Sequence, residues 1–267
     1  MSGSLGALLE LACSVAREAG ALAAAGRAQG VPLTDSKTTL TDMVTEYDRA
    51  TEALVVERLR TARPTDGLVG EEGSDITGSS GITWIIDPID GTTNFLYDLP
   101  LWAVSIGAAD DHGGLVGAVY IPVLDELFAA ARGEGATLNG RSIRCGAVSD
   151  PALALLATGF AYRPDRRAAQ GVRVARLLPH VRDIRRMGAA SVDLCYVAAG
   201  RLDAYFEEGL HPWDYAAGGL IAAEAGCRTG DLVGGPPSGR GVLAANPELF
   251  DALRPLVVDA AEPHTTA

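Results

Sequence analysis

The stretch Trp84-Ile85-Ile86-Asp87-Pro88-Ile89-Asp90-Gly91-Thr92-Thr93-Asn94-Phe95 decides how this chain is read. Three apolar residues run into Asp87. Pro88 biases Asp87 toward an extended conformation, so a buried strand is expected to end there. Gly91 permits a tight turn and close approach of a ligand to the backbone. Thr92, Thr93 and Asn94 suit the first turn of a helix, whose free N–H groups bind anions. The segment thus offers two carboxylates, the Ile89 carbonyl and an anion-binding helix start. Hard oxygen donors suit Mg2+ or Mn2+, and an anion pocket beside hard cations is what phosphoryl transfer requires. Asp and Gly are also ordinary turn residues, so the motif alone describes an acidic turn equally well.

Further acidic residues shift that balance. Glu71-Glu72 lies between Gly70 and Gly73 ahead of the strand, Asp214 follows Pro212-Trp213 at a helix start, and Asp48 lies near another. Sites are often built at element ends. Mutual repulsion would raise the pKa values of these carboxylates unless cations offset it. Around them, apolar spacing predicts helices at 5–27, 46–60, 166–178, 190–199, 215–225 and 247–254, the last stopped by Pro255. Strands are expected at 68–69, 84–86, 101–109, 115–121, 126–131, 154–159, 203–206 and 241–245, with a loop at 31–41. The pattern is helices, then a sheet with antiparallel strands, then a second α/β unit, which makes an α/β chain. Two halves are expected: 1–145 with the Glu71-Glu72 and Asp87-Asp90 motifs, and 146–267 with Glu207 and Asp214.

The chain has 267 residues, of which 48% are hydrophobic and 21% charged, with a net charge of -12. That composition supports a sizeable core and argues against disorder. An acidic chain does not attract nucleic acid or anionic lipid, so neither is expected as a partner. The four cysteines form no C-x-x-C pair, which excludes a disulfide framework and a zinc site and leaves free thiols. No basic leader precedes an apolar run, and no stretch reaches the ~18 apolar residues of a membrane span. A cytoplasmic setting is expected.

On these motifs the chain resembles the inositol monophosphatase family of lithium-sensitive, magnesium-dependent phosphatases. The matching blocks are Lys37-Thr-Thr-Leu-Thr-Asp42-Met-Val-Thr-Glu-Tyr-Asp48, Gly70-Glu-Glu-Gly73, the 84–95 stretch, and Trp213-Asp-Tyr-Ala-Ala-Gly218, in family order. The resemblance implies an αβαβα sandwich of alternating helical and sheet layers, of the inositol monophosphatase and fructose-1,6-bisphosphatase type, and a homodimer. It implies two to three Mg2+ per site, or Mn2+, and hydrolysis of inositol monophosphate by direct attack of metal-bound water. Glu71, Asp87 and the Ile89 carbonyl look like ligands of a first metal, and Asp87, Asp90 and Asp214 of a second. Thr92 and Asp48, with Glu71, take the catalytic roles. The N–H groups of Gly91 and Thr92 would hold phosphate, and Asp90, Ala190 and Glu207 would contact substrate. Lys37, Asp42, Glu72 and Thr93 would support these groups from behind. One departure is visible: Gly188-Ala189-Ala190-Ser191 stands where the family often has Gly-Ser/Thr-Ala-Ala, so a hydroxyl is missing at 189.

Same-fold alternatives are phosphatases of histidinol phosphate, fructose 1,6-bisphosphate or 3′-phosphoadenosine 5′-phosphate, or a dual-role partner of transcription machinery. The first and last of those phosphatases more often have Lys at the position of Thr93. Cys195-Tyr-Val-Ala-Ala-Gly-Arg201 has tyrosine-phosphatase spacing, but Val192, Cys195, Tyr196 and Ala199 fit one helix face, with Gly200 as its cap. Haloacid-dehalogenase phosphatases separate their acids by one residue, whereas Asp87 and Asp90 are separated by two. Arg185-Arg186 reads as a solvated pair at a strand end or as a contact at a dimer or active-site rim.

Overall fold

The computed structural model describes residues 4–30, 33–36 and 43–259. Helix α1 (Leu5–Arg27) starts at Ser4, whose hydroxyl accepts from the Ala7 N–H. Leu8, Ala12, Val15 and Ala19 form its buried stripe. Helix α2 (Glu46–Ala62) is more polar and buries Val55 and Leu59, with Asp48 and Glu52 on the same stripe. Both helices cover one face of an eight-stranded sheet.

That sheet is built from β3 (Gly67–Gly70), β4 (Asp75–Ile76), β5 (Thr83–Asp90), β6 (Ala103–Asp110), β7 (Gly113–Ile121), β8 (Glu126–Ala131), β9 (Gly135–Leu138) and β10 (Arg141–Ile143). Its order is β10-β9-β8-β7-β6-β5-β3-β4, antiparallel except for β3 beside β5. Two earlier strands, β1 (Leu33–Ser36) and β2 (Met43–Thr45), pair separately. The short helix α3 (Thr92–Leu96) follows β5. The remaining elements are β11 (Leu155–Thr158), α4 (Pro164–Leu177), β12 (Asp183–Arg185), α5 (Ala190–Ala198), β13 (Ala204–Glu207), α6 (Pro212–Glu224), β14 (Arg228–Gly230), β15 (Val242–Ala245) and α7 (Pro247–Asp259). Their strands form a second sheet in the order β12-β11-β13-β15-β14. Helices α5 and α6 lie between the two sheets, and α4 and α7 close the outer face of the second. The layers alternate as helix, sheet, helix, sheet, helix, which is the expected αβαβα sandwich. The strands of the two sheets fall on either side of residue 145, while one apolar cluster takes Val119 and Phe128 from the first sheet and Tyr205 and Val242 from the second.

Helix α6 reaches the first sheet through a glycine seat. Gly107 of β6 and Gly117 of β7 are register partners. A Cβ on Gly117 would lie 2.8 Å from the Ala217 carbonyl oxygen, and one on Gly107 would lie 3.3 Å from the Ala217 nitrogen. Only bare backbone lets the helix sit this close.

Several boundaries differ from expectation. Strand β5 does not stop at Asp87. It runs to Asp90 with a register irregularity between the two residues, which absorbs the N–H that Pro88 lacks. Pro255 lies inside α7 rather than ending it, because Leu253 and Val257 are both buried in the outer apolar cluster. Part of the expected loop at 31–41 is strand β1. Helix α6 begins at Pro212, so Asp214 lies within its first turn and His211 is the cap residue. Strands β4, β9, β10 and β14 are short or half-polar and carry no clear period-two signal.

Replacing Gly117 by Ala is expected to lower stability by about 1–3 kcal/mol, the range for overpacking a well-filled interior. Urea unfolding at fixed pH measures it. A change below about 0.3 kcal/mol would mean the seat is loose.

Candidate active site

The four carboxylates are brought together from three places. Glu71 lies just past β3, Asp87 and Asp90 occupy the irregular end of β5, and Asp214 sits in the first turn of α6. All four line one cleft of about 430 Å³, together with Ile89, Gly91, Thr92 and Glu207. Asp87, Asp90 and Asp214 each offer an oxygen within 4.8 Å of the others. Glu71 lies close enough for its charge to act on Asp87.

Each acid is held by its own framework. The Asp87 carboxylate accepts the Ile89 N–H at 3.0 Å, folding the backbone around it. Asp90 accepts the Ala190 N–H at 3.2 Å and both the N–H and the hydroxyl of Ser191. The N-terminus of α5 is therefore clamped onto the end of β5. Asp214 accepts the His211 N–H at 2.6 Å. The loop carrying Glu71 is braced by Glu52, buried on α2, which accepts from the N–H groups of Glu72 and Ser74 and from the Ser74 hydroxyl. Gly70 makes room for it, since a Cβ there would lie 2.5 Å from the Glu52 carboxylate. Asn94 donates to the carbonyls of Leu101 and Met187, tying α3 to the approach of α5.

Burial raises the pKa of Asp87 well above the usual carboxylate range, reinforced by the charges of Glu71, Asp90 and Asp214. Asp214 is raised well above it for the same reasons, burial first and then Asp90. Asp90 is pushed up to about 6 by burial, against the pull of its Ser191 and Ala190 donors. Hard oxygen donors, crowded and mostly removed from water, fit a divalent cation.

Beside the acids, the Thr92 hydroxyl lies 3.3 Å from Asp48 and 3.2 Å from the Ile89 carbonyl. Asp48 and Thr92 are both buried. Glu207, at the end of β13, is not a solvated strand-end residue. It lines the cleft, accepts from the Tyr205 hydroxyl at 2.7 Å, and is raised to about 7 by burial. Gly159 leaves it space, since a Cβ there would lie 1.9 Å from its carboxylate.

Not every expected role appears in these contacts. The Ala190 N–H is given to Asp90, although Ala190 also lines the cleft. The hydroxyl missing at 189 is supplied at 191, where it serves Asp90. Glu72 lies in the braced turn and Thr93 in α3. Lys37 and Asp42 lie outside the described residues. Arg185 pairs with Asp183 at the end of β12, whereas Arg186 faces the cleft with Arg163 and Arg166. Cys195 is fully buried in α5 and Arg201 pairs with Glu126, so the tyrosine-phosphatase spacing is a coincidence of one helix. Ser191 and Glu52 were not read as site residues, while Arg186 takes the active-site-rim reading of its pair.

A carboxyl whose folded pKa is raised stabilises the fold below its unfolded pKa, near 4, and that contribution is lost as pH rises through the folded value. With Asp90 near 6 and Glu207 near 7, the metal-free protein is expected to lose Tm between pH 5 and pH 8. Magnesium should restore more Tm at pH 8 than at pH 5. Asp87→Asn should raise Tm in EDTA by removing one repelling charge. Thermal scans of both proteins with and without Mg2+ check this, and a lowered Tm for the variant in EDTA would contradict the repulsion argument.

The comparisons with known proteins agree with this geometry. The model of the inositol monophosphatase family matches residues 5–262. The chain is 48% identical to an inositol-1-monophosphatase of Mycobacterium leprae, over 82% of this chain and 79% of the relative. It is 39% identical to the Nus factor SuhB of Escherichia coli, over 92% of this chain and 94% of that one. The crystal structure of the extragenic suppressor protein suhB from Bartonella henselae superposes with a TM-score of 0.88 at 35% identity, covering 94% of this chain and 98% of that one. Together with the acidic cleft, these matches establish that the chain belongs to the inositol monophosphatase family.

Proposed function

We propose that this protein is a Mg2+-dependent phosphatase that hydrolyses inositol monophosphate to inositol and phosphate. The observation that carries the proposal is the convergence of Asp87, Asp90 and Asp214 within 4.8 Å, in a cleft that also holds the Thr92 hydroxyl. Glu71, Asp87, Asp90, Asp214 and the Ile89 carbonyl would hold the cations. Bound there, they supply charge neutralisation at the phosphoryl oxygens and make water acidic enough to act as a nucleophile near neutral pH.

The chain's own residues do the rest. Gly91, at φ 88°, turns the backbone so that it and Thr92 line the cleft, where their N–H groups would receive phosphate oxygens. The Thr92 hydroxyl accepts from the attacking water and passes its own proton toward Asp48, 3.3 Å away. Asp48 is buried away from bulk water, so it orients rather than competes for that water. Direct attack leaves no phosphoenzyme, and no cysteine takes part. Glu207 would accept hydrogen bonds from ring hydroxyls, and above pH 7 it does so as a carboxylate. The name Nus factor belongs to the E. coli relative; the intact set of acids here supports catalysis. A homodimer and a cytoplasmic setting belong to the same proposal, the first resting on the family resemblance and the second on the sequence pattern. No helix among the described residues is long and apolar enough to cross a membrane.

A specific observation favours a second reading of the substrate. Arg163, Arg166 and Arg186 line the same cleft. They could receive a second anionic group, as fructose 1,6-bisphosphate or 3′-phosphoadenosine 5′-phosphate would present. A substrate panel under Mg2+ decides between the two.

Asp90→Asn is expected to lower kcat by at least about a thousandfold, as losing a major electrostatic stabiliser does, and EDTA should abolish turnover. Activity that survives either change would refute the metal assignment. Glu207→Ala should lower kcat/KM for inositol 1-phosphate by roughly 10- to 150-fold, corresponding to a hydrogen bond to a charged group. It should leave p-nitrophenyl phosphate almost untouched, because that substrate has no hydroxyl to donate. Equal losses on both substrates would mean that Glu207 serves the cation site instead.

A further inference from the structure

Helix α6 carries Asp214 at one end and meets Cys145 at the other. The Cys145 N–H donates to the carbonyl of Ala225, the residue that caps α6, at 3.0 Å. A Cβ on the next residue, Gly226, would lie 3.7 Å from the Cys145 sulfur. The chain then turns at Gly226, φ 93°, and places Cys227 at the edge of the second sheet, its N–H donating to Ala222 at 3.0 Å. The Cys145 thiol adds to the burial that raises the Cys227 thiol. Both belong to the apolar cluster shared by the two sheets, Cys227 as a buried member and Cys145 packed against it and half-buried. The other two thiols lie elsewhere, Cys13 on α1 and Cys195 inside α5.

We infer that Cys145 and Cys227 are an oxidisable pair that forms a reversible disulfide at the end of α6. Cys145 is hydrogen-bonded to Ala225 and its sulfur lies against Gly226, so the backbone holds it beside the residues that lead into Cys227, as a disulfide requires. The chemistry needs hydrogen peroxide. The Cys145 thiolate, on the more accessible side, attacks one peroxide oxygen, the O–O bond breaks, and hydroxide leaves to become water. The product is a sulfenic acid on Cys145. The Cys227 thiol then attacks that sulfur, the S–O bond breaks, and a second water leaves. Two thiols have lost two electrons in total and the peroxide has gained them. Burial raises the Cys227 thiol, so it suits the second, resolving step better than the first. The closed loop of about 80 residues contains β11 through α6, and so Glu207 and Asp214. A loop of that length places the bond among the stabilising class, and the linked form should melt about 5–10 °C above the reduced one.

The test uses the purified, reduced, full-length protein exposed to hydrogen peroxide and then alkylated after denaturation. Cys13 and Cys195 should remain alkylated, Cys145 and Cys227 should not, and their tryptic peptides should appear joined until dithiothreitol separates them. In Cys227→Ser, dimedone should trap a sulfenic acid at Cys145. The wild-type peptide map stands even if that variant folds poorly. The inference is overturned if all four thiols stay alkylated, if the link involves Cys13, Cys195 or a second molecule, or if Cys145 passes to sulfinic acid with Cys227 still free. A linked form that melts below the reduced one would show that the native contact does not suit the bond.

Discussion

Crowding carboxylates out of water is the constraint that the rest of this structure answers. At 4 Å two like charges repel by about 4 kcal/mol at the effective dielectric of a protein surface, and by more inside. Asp87, Asp90, Asp214 and Glu71 would spread apart if they hung from flexible loops. Each is instead fixed by a separate rigid part: the β5 irregularity, the N-terminus of α5, the first turn of α6, and a loop braced by Glu52. The glycine seat on β6 and β7 sets how deep α6 lies, and so how near Asp214 comes to the other acids. Stability is spent on geometry, and cations recover it on binding.

Much of this was legible in the residues. The 84–95 stretch gave the acids, the turn and the short helix, because Pro88 and Gly91 act locally and the carboxylates sit next to them in sequence. Apolar spacing predicts helix α1 with the bounds it has, Leu5–Arg27, since a long amphipathic stripe averages over many positions. The Asp48–Thr92 contact followed from the resemblance and could not have come from spacing, because 44 positions separate the two.

What was missed depends on tertiary contact. Ser191 looks like any residue early in a helix until Asp90 arrives from the first sheet. Glu52 left a faint signal: with Asp48, it puts a second carboxylate on the buried stripe of α2, where an apolar residue would be expected. Pro255 was read as a terminator because local rules count the lost hydrogen bond but not the burial of Leu253 and Val257. Short edge strands such as β10 and β14 owe their pairing to neighbours rather than to their own alternation.

The strand order also fixes an order of assembly. From β5 to β10 each strand pairs with the next in sequence, so that sheet can zip up through local hairpins. The second sheet holds β11 between β12 and β13 in parallel, and parallel pairing must wait for intervening segments to be threaded across. Asp214 lies in this slower part, while Asp87 and Asp90 lie in the faster one. Cation affinity should therefore emerge only with the last kinetic phase of refolding, well after the first sheet has gained amide protection. Stopped-flow refolding with and without Mg2+, beside pulsed hydrogen exchange, would separate the two events in time. The site would then report that both halves of the chain have finished folding.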